Sequence, residues 1–309
     1  MSAISVKNVT KRFKSFIAVD GLSFDVAENH VVGFLGPNGA GKTTTLRMIV
    51  GLSKLTKGAV TVSGIPVIFG KIESNAKIGY LPELPSFYAW MTGEEYLNFI
   101  ADIFKLSDAA KKTKIDSLLT LVDLTDAAKR RISTYSGGMK QRLGIAQALI
   151  NDPGVLILDE PVSALDPIGR REVLTVIEKL KKNKTILFST HILSDVDRIC
   201  DDVVIINHGQ LVAASPLAEL RAKYATPILE IEFASDPEKL ASDATAQKWA
   251  EKIEKNGNLL KIWLRDNKAV EENLPFKYFA KQDIGILHYG LSLPETEDLF
   301  MDLLGEKHE

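Results

Sequence analysis

The sequence predicts an α/β chain followed by a smaller α+β domain. Three observations carry this. Short apolar runs that read as buried strands alternate with helix-spaced segments as far as about residue 220. One of those runs passes into a helix through a glycine-rich loop. Near Ala225 the pattern changes to strands in which apolar and charged residues alternate.

Ile4, Val6 and Val9 sit among polar residues as in a half-buried strand, and Ala18 to Val26 continues that pattern. His30 to Leu35 and Val155 to Leu158 are short continuous apolar runs, the mark of parallel strands covered on both faces. Gly58 to Val67 reads as a strand. From Met91 to Ser133 the pattern is helical: Thr92 and Glu95 form a capping box, and Tyr96, Leu97, Phe99, Ile100, Ile103 and Phe104 follow at helical spacing. Gly169 to Lys182 reads as a helix, Thr185 to Ser189 as a strand and Ile192 to Ile199 as a helix. Past Ala225, Leu229, Ile231 and Phe233 alternate with glutamates. Ser235 and Glu238 cap an expected helix to Lys255, and Leu260, Ile262 and Leu264 form a further strand. Pro294 and Gly305 bound an expected terminal helix with the apolar stripe Leu299, Phe300, Leu303 and Leu304.

Composition narrows the function. Hydrophobic residues make up 45% of the chain, enough for a sizeable core. The net charge of -2 argues against nucleic acid as a partner, since such proteins show a basic excess. The single cysteine, Cys200, allows no internal disulfide and fits a reducing compartment. No stretch approaches the ~20 apolar residues of a membrane span, and the first residues hold no apolar signal core. The expected location is therefore the cytoplasm, with any membrane role supplied by a partner.

Gly36-Pro37-Asn38-Gly39-Ala40-Gly41-Lys42-Thr43 matches the P-loop pattern, after an apolar strand and before a helix beginning at Thr44. Glycines let successive backbone N–H groups turn inward as an anion cradle, and the helix N-terminus adds its positive end. Lys42 reaches the β- and γ-phosphates, and the Thr43 hydroxyl is a ligand for Mg²⁺. Asp159 ends the run Val155–Leu158, where a carboxylate opens into the ligand crevice and can hold the metal. Glu160, the next residue, can deprotonate an attacking water.

Tyr135-Ser136-Gly137-Gly138-Met139-Lys140-Gln141 closely resembles the signature motif of the ABC ATPase family. Other family segments fall in order around it: Ser163-Ala164-Leu165-Asp166 resembles the D-loop, His191 the switch histidine, and Phe13 the adenine-stacking aromatic, although by itself Phe13 reads as a core residue. The resemblance covers residues 1 to about 220. It implies a P-loop NTPase core with an antiparallel β subdomain and a helical subdomain over residues 1–225, leaving 226–309 as an accessory α+β domain. It implies ATP and Mg²⁺ as ligands, with His191 touching the γ-phosphate and orienting Glu160. Ser136, Gly137 and Gly138 open a second helix and so a second phosphate-binding surface. The family combines the two surfaces in a head-to-tail dimer, either a homodimer or a pair with another ATPase subunit, docked on an integral membrane subunit at the cytoplasmic face.

Two positions depart from the family pattern. The Q-loop glutamine is replaced by Glu83, which keeps an oxygen ligand for Mg²⁺ but cannot donate a hydrogen bond when ionised. The stacking position holds phenylalanine, which still offers a ring face. Phe87, Tyr88 and Trp90 either line the groove that receives the membrane subunit or pack the helical subdomain. Leu81-Pro82-Glu83 and the terminal segment from Ser292 resemble the exporter branch that includes antibiotic- and sodium-efflux ATPases, which implies export. An importer ATPase and a soluble ABC ATPase outside transport are the alternatives.

Overall fold

The computed structural model describes residues 2–224, 227–245, 247–266 and 268–292. Ala225, His308 and the expected terminal helix with Leu299, Phe300, Leu303 and Leu304 lie outside the described residues. The chain divides into two compact units, Met1–Ala218 and Glu219–Glu309.

In the first unit, β1 (Ser2–Phe13) and β2 (Phe16–Ala27) form a long antiparallel hairpin. Fully buried β3 (Val31–Leu35) runs into α1 (Lys42–Ile49) through the glycine-rich loop. The segment read as one strand from Gly58 is a hairpin, β4 (Lys57–Val62) and β5 (Ile65–Pro66); Ser63 and Gly64, both at positive φ, turn the chain between them. β6 (Ile78–Leu81) follows, then α2 (Gly93–Ile103) and α3 (Asp108–Leu121). The Thr92–Glu95 capping box is formed, with the Glu95 N–H donating to Thr92 Oγ1 and the Thr92 N–H to Glu95 Oε2. α4 (Gly137–Ala148), β7 (Val155–Leu158), α5 (Pro167–Leu180), β8 (Thr185–Thr190), α6 (Leu193–Ile199), β9 (Asp202–Asn207) and β10 (Gln210–Pro216) complete the unit. α7 (Leu217–Tyr224) spans the division.

The central sheet has the order β10-β9-β3-β8-β7-β6; all pairings are parallel except that of β10 with β9. A second sheet, β2-β1-β4-β5, is antiparallel. Alternate residues of the buried strands feed two cores. Leu156, Leu158, Ile186 and Phe188 join the helices, whereas Val155, Ile157 and Leu187 join α1 and the antiparallel sheet. The aromatic segment splits. Phe87 packs edge-on against Tyr96 at 5.1 Å, while Tyr88, Trp90 and Phe99 form a chain of ring contacts on the surface. The helical stripe divides in the same way: Tyr96 and Leu97 are buried, and Ile103 and Phe104 face solvent.

The second unit is a four-stranded antiparallel sheet, β12-β13-β11-β14, built from β11 (Ile228–Phe233), β12 (Ala250–Asn256), β13 (Leu259–Leu264) and β14 (Ile286–Ser292). α8 (Glu238–Thr245), α9 (Lys268–Glu271) and α10 (Leu274–Phe279) accompany it. Leu229, Ile231, Phe233, Leu260, Ile262 and Leu264 pack with Trp249 and Phe279 in its core. The expected helix to Lys255 is corrected here. It ends at Thr245, and Glu251–Lys255 belongs to edge strand β12, paired with β13. Glutamate and lysine favour helix weakly, and pairing to a strand with a buried face overrides that preference. The same charges suit an edge strand, where they discourage further pairing. The start is corrected too: the Glu238 N–H donates to Asp236 Oδ1 rather than to Ser235.

Candidate active site

Within the loop Gly36–Thr43, backbone contacts leave no room for a side chain at Gly36 or Gly41. A Cβ on Gly36 would stand 2.4 Å from the Ile206 carbonyl, and one on Gly41 would stand 2.6 Å from that of Ala18. Gly41 also adopts φ 104° as the N-cap of α1, which glycine does at little cost. No side chain caps α1, so its first N–H groups face the cleft. The Ala40 N–H donates to the Pro37 carbonyl and tightens the turn. Lys42 is buried; its Nζ donates to the Gly36 carbonyl at 2.7 Å and lies 3.3 Å from Glu160 Oε1.

The strand order β3-β8-β7 brings the acidic pair to this loop. Asp159 and Glu160 follow β7 directly. The Thr43 hydroxyl donates to Asp159 Oδ1 at 3.0 Å and the Ser189 hydroxyl donates to the same oxygen at 2.8 Å. Burial pushes the Asp159 carboxyl above the usual aspartate range; the hydrogen bonds from Ser189 and Thr43 oppose that shift and the neighbouring Glu160 charge adds to it. The Glu160 N–H donates to Ser189 Oγ at 2.8 Å. Glu160 has φ 46°, a left-handed conformation uncommon for glutamate and held here by its neighbours. Its Oε2 meets His191 Nδ1 at 3.0 Å.

A cleft of about 490 Å³ collects Pro37, Asn38, Gly39, Gly41, Lys42, Thr43 and Thr44 with Glu83, Glu160, Ser163 and His191. Gly36 and Ala40 shape the loop without lining this cleft, and Asp159 lies buried beneath it. Phe13 does not line it either. Phe16 and Ala18 of β2 do.

Ser136, Gly137, Gly138 and Asp166 are gathered in a different cleft of about 470 Å³, which shares no lining residue with the first. Ser136 is the N-cap of α4, its Oγ accepting from the Met139 N–H at 3.2 Å. Asp166 is the N-cap of α5, its Oδ1 accepting from the Gly169 N–H at 3.0 Å. The two helix starts abut: a Cβ on Gly138 would be 3.1 Å from Gly169 Cα. The Ser163–Asp166 loop reaches both clefts, Ser163 at the first and Ala164 to Asp166 at the second. Arg170 ties α5 to α6 through Asp195, with its Nε donating to Asp195 Oδ1 at 2.8 Å.

Sequence reasoning did not find Ser189, Phe16 or Ala18. Ser189 leaves a trace, as a polar residue at the end of a hydrophobic strand that is itself fully buried. Phe16 and Ala18 depend on how the β1–β2 hairpin lies against the loop and have no local signature.

A phosphate cradle at the C-terminal end of a parallel strand, with two carboxylates and a histidine around it, defines a P-loop nucleotide-hydrolysing protein. The comparisons give the family. A model described as ABC transporter matches residues 19–163. The bacitracin transport ATP-binding protein BcrA of Bacillus licheniformis is 37% identical over 98% of this chain and 97% of its own length. The Nod factor export ATP-binding protein I of Burkholderia lata is 33% identical over 99% and 98%. A dimeric ATP-binding cassette solved in a post-hydrolysis state with ADP and Pi superposes with TM-score 0.63 at 26% identity, covering 69% of this chain and 98% of that one. The chain belongs to the ABC transporter ATP-binding proteins, and it is an ATPase.

Proposed function

We propose that the chain is the ATP-hydrolysing subunit of an exporter. Two such subunits would enclose ATP between the P-loop cleft of one and the signature cleft of the other. The observation that carries this reading is the separation of two phosphate-facing helix starts into clefts with no common lining residue. A single chain holds both halves of a nucleotide site and joins neither to the other, so a second subunit supplies the complement. The solved relative with ADP and Pi is itself dimeric, which supports that arrangement.

In this reading the backbone N–H groups of Gly39 and of Gly41 to Thr44, at the start of α1, hold the phosphates, with Lys42 at the β/γ end. Glu160 accepts a proton from the attacking water as the bond between the γ-phosphorus and the bridging oxygen breaks. His191 fixes the Glu160 carboxylate through Nδ1. Ser136, Gly137 and Gly138 of the partner subunit meet the phosphates from the other side, and Asp166 holds the start of α5 beside them. The residues also suit Mg²⁺. Thr43, Asp159 and Glu83 offer hard oxygens only, and a buried carboxylate whose charged form is disfavoured gains from a cation. Bound there, Mg²⁺ neutralises charge developing on the phosphate oxygens.

Leu84, Tyr88 and Trp90 are exposed by 81%, 50% and 67%, an apolar and aromatic surface suited to an integral membrane subunit at the cytoplasmic face. Among the described residues no helix is long and apolar enough to cross a membrane, so the transport path would belong to that partner. Two full-length relatives with different named cargoes, bacitracin and Nod factor, support transport without fixing the substrate, and the second supports its outward direction.

Glu160→Gln tests the reading. The amide fills the same space but cannot take the proton, so hydrolysis falls by roughly 10²–10⁴-fold while ATP still binds. Light scattering then detects a dimer with Mg-ATP and a monomer without nucleotide. Near wild-type turnover would remove Glu160 from the chemistry, and a monomer under saturating Mg-ATP would refute the shared site.

A further inference from the structure

Glu160 is buried among its neighbours, but the ring that meets it is not. The His191 side chain is 47% exposed, so packing does little to fix it. Its aim at Glu160 depends on where the backbone puts it. Only His191 and Ile192 separate β8 from α6. The sheet locks β8, so the placement of α6 sets the other end of this short link.

The first turn of α6 is gripped by one guanidinium from α5. Arg170 Nε donates to Asp195 Oδ1 at 2.8 Å, and Nη2 stands 2.6 Å from the same oxygen. Nη2 also donates to Ser194 Oγ at 2.8 Å. Asp195 is 1% exposed, and its Oδ2 is buried with no hydrogen-bond partner among the described residues. A carboxylate so placed is costly unless a cation offsets it. Burial pushes the Asp195 carboxyl above the usual aspartate range, and the hydrogen bond from Arg170 opposes that shift. A planar fork that holds two neighbouring residues fixes direction as well as distance, which a point charge does not. At its own end, Arg170 lies in the first turn of α5. Its N–H donates to the carbonyl of Asp166, the N-cap of that helix, at 2.9 Å. One side chain therefore spans from the end of the Ser163–Asp166 loop to the residues just past His191.

We propose that the Arg170–Asp195 pair positions His191, holding its Nδ1 on the Glu160 carboxylate while the attacking water is deprotonated. The inference rests on Glu160 being the base.

Single-turnover hydrolysis of Mg-ATP, measured beside ATP affinity and melting temperature, tests it. Arg170→Met combined with Asp195→Leu removes both charges at once, so the fold survives. This double variant binds ATP within about twofold of the wild type. It melts within about 4 °C of the wild type. It hydrolyses ATP about 10–100-fold more slowly, the cost of a misplaced reacting group. With His191→Ala already in place, the same replacement costs about twofold or less, because the pair acts through that ring. Arg170→Lys keeps the charge that offsets Asp195 and loses the fork, and it slows hydrolysis about fivefold even if the double variant fails to fold. A wild-type rate in either variant, or an equal loss with and without His191, overturns the proposal. Glu160→Gln separates the two readings. If it stops hydrolysis while the double variant keeps the wild-type rate, the positioning role alone fails. If it hydrolyses like the wild type, the reading of the base fails first.

Discussion

The helices α1 and α4 both carry glycine at their starts, Gly41 before α1 and Gly137 and Gly138 within α4, and both open into a cleft, yet they begin in opposite ways. α1 starts at Gly41 in a left-handed conformation with no side-chain cap, and Lys42 is buried at its first turn. α4 starts at Ser136, whose hydroxyl already accepts from its own third helical residue. The first start leaves its N–H groups to an anion and brings a fixed cation. The second satisfies part of its own need and offers only a bare glycine surface beside the start of α5. Under the proposed function this becomes a division of labour: α1 would hold a nucleotide within one chain, whereas α4 would add to a phosphate already held by another.

Substitutions at the two helix starts should therefore fail differently. Lys42→Ala gives the larger effect. It removes a charge-assisted contact to phosphate, a change of roughly 10–100-fold in ATP affinity, and with it all measurable hydrolysis. Calorimetry and circular dichroism together check that binding is lost and the fold kept; unchanged affinity would erase the contrast between the two helices. Ser136→Ala gives the smaller effect. Loss of the cap costs about 1 kcal/mol of stability. ATP affinity of the isolated chain stays near wild type, while hydrolysis and nucleotide-driven dimerisation decline. A fall in single-chain affinity matching that of Lys42→Ala would place both helices at one intrachain site.

Much of this site was legible in the sequence because its residues sit at the ends of apolar runs. Lys42 and Thr43 follow β3, Asp159 and Glu160 follow β7, and His191 follows β8; each strand announces the position of its chemistry. Ser136 was legible as a cap before an apolar-periodic helix. Ser189 was not, since its contact with Asp159 exists only because β8 lies beside β7. Phe16 was hidden for a similar reason: which hairpin residue faces the loop depends on the packing of two sheets. The hairpin of β9 and β10 left a usable trace, His208-Gly209 at positive φ, in a segment with no chemical motif to draw attention. β12 was concealed by its composition, because Glu-Lys-Ile-Glu-Lys reads as a solvated helix until a neighbouring strand pairs with it.

The central claim is that the two clefts meet across subunits. Site-directed cross-linking tests it most directly, in a chain carrying Cys200→Ser and Glu160→Gln. Asn38→Cys places a thiol in the first cleft, and Met139→Cys places one in the second. The two variants are mixed with a short thiol-reactive linker, with and without Mg-ATP. The account predicts a covalent dimer that forms only in the mixture and only with nucleotide. A dimer formed by either variant alone, or no nucleotide-dependent cross-link in the mixture, would contradict it.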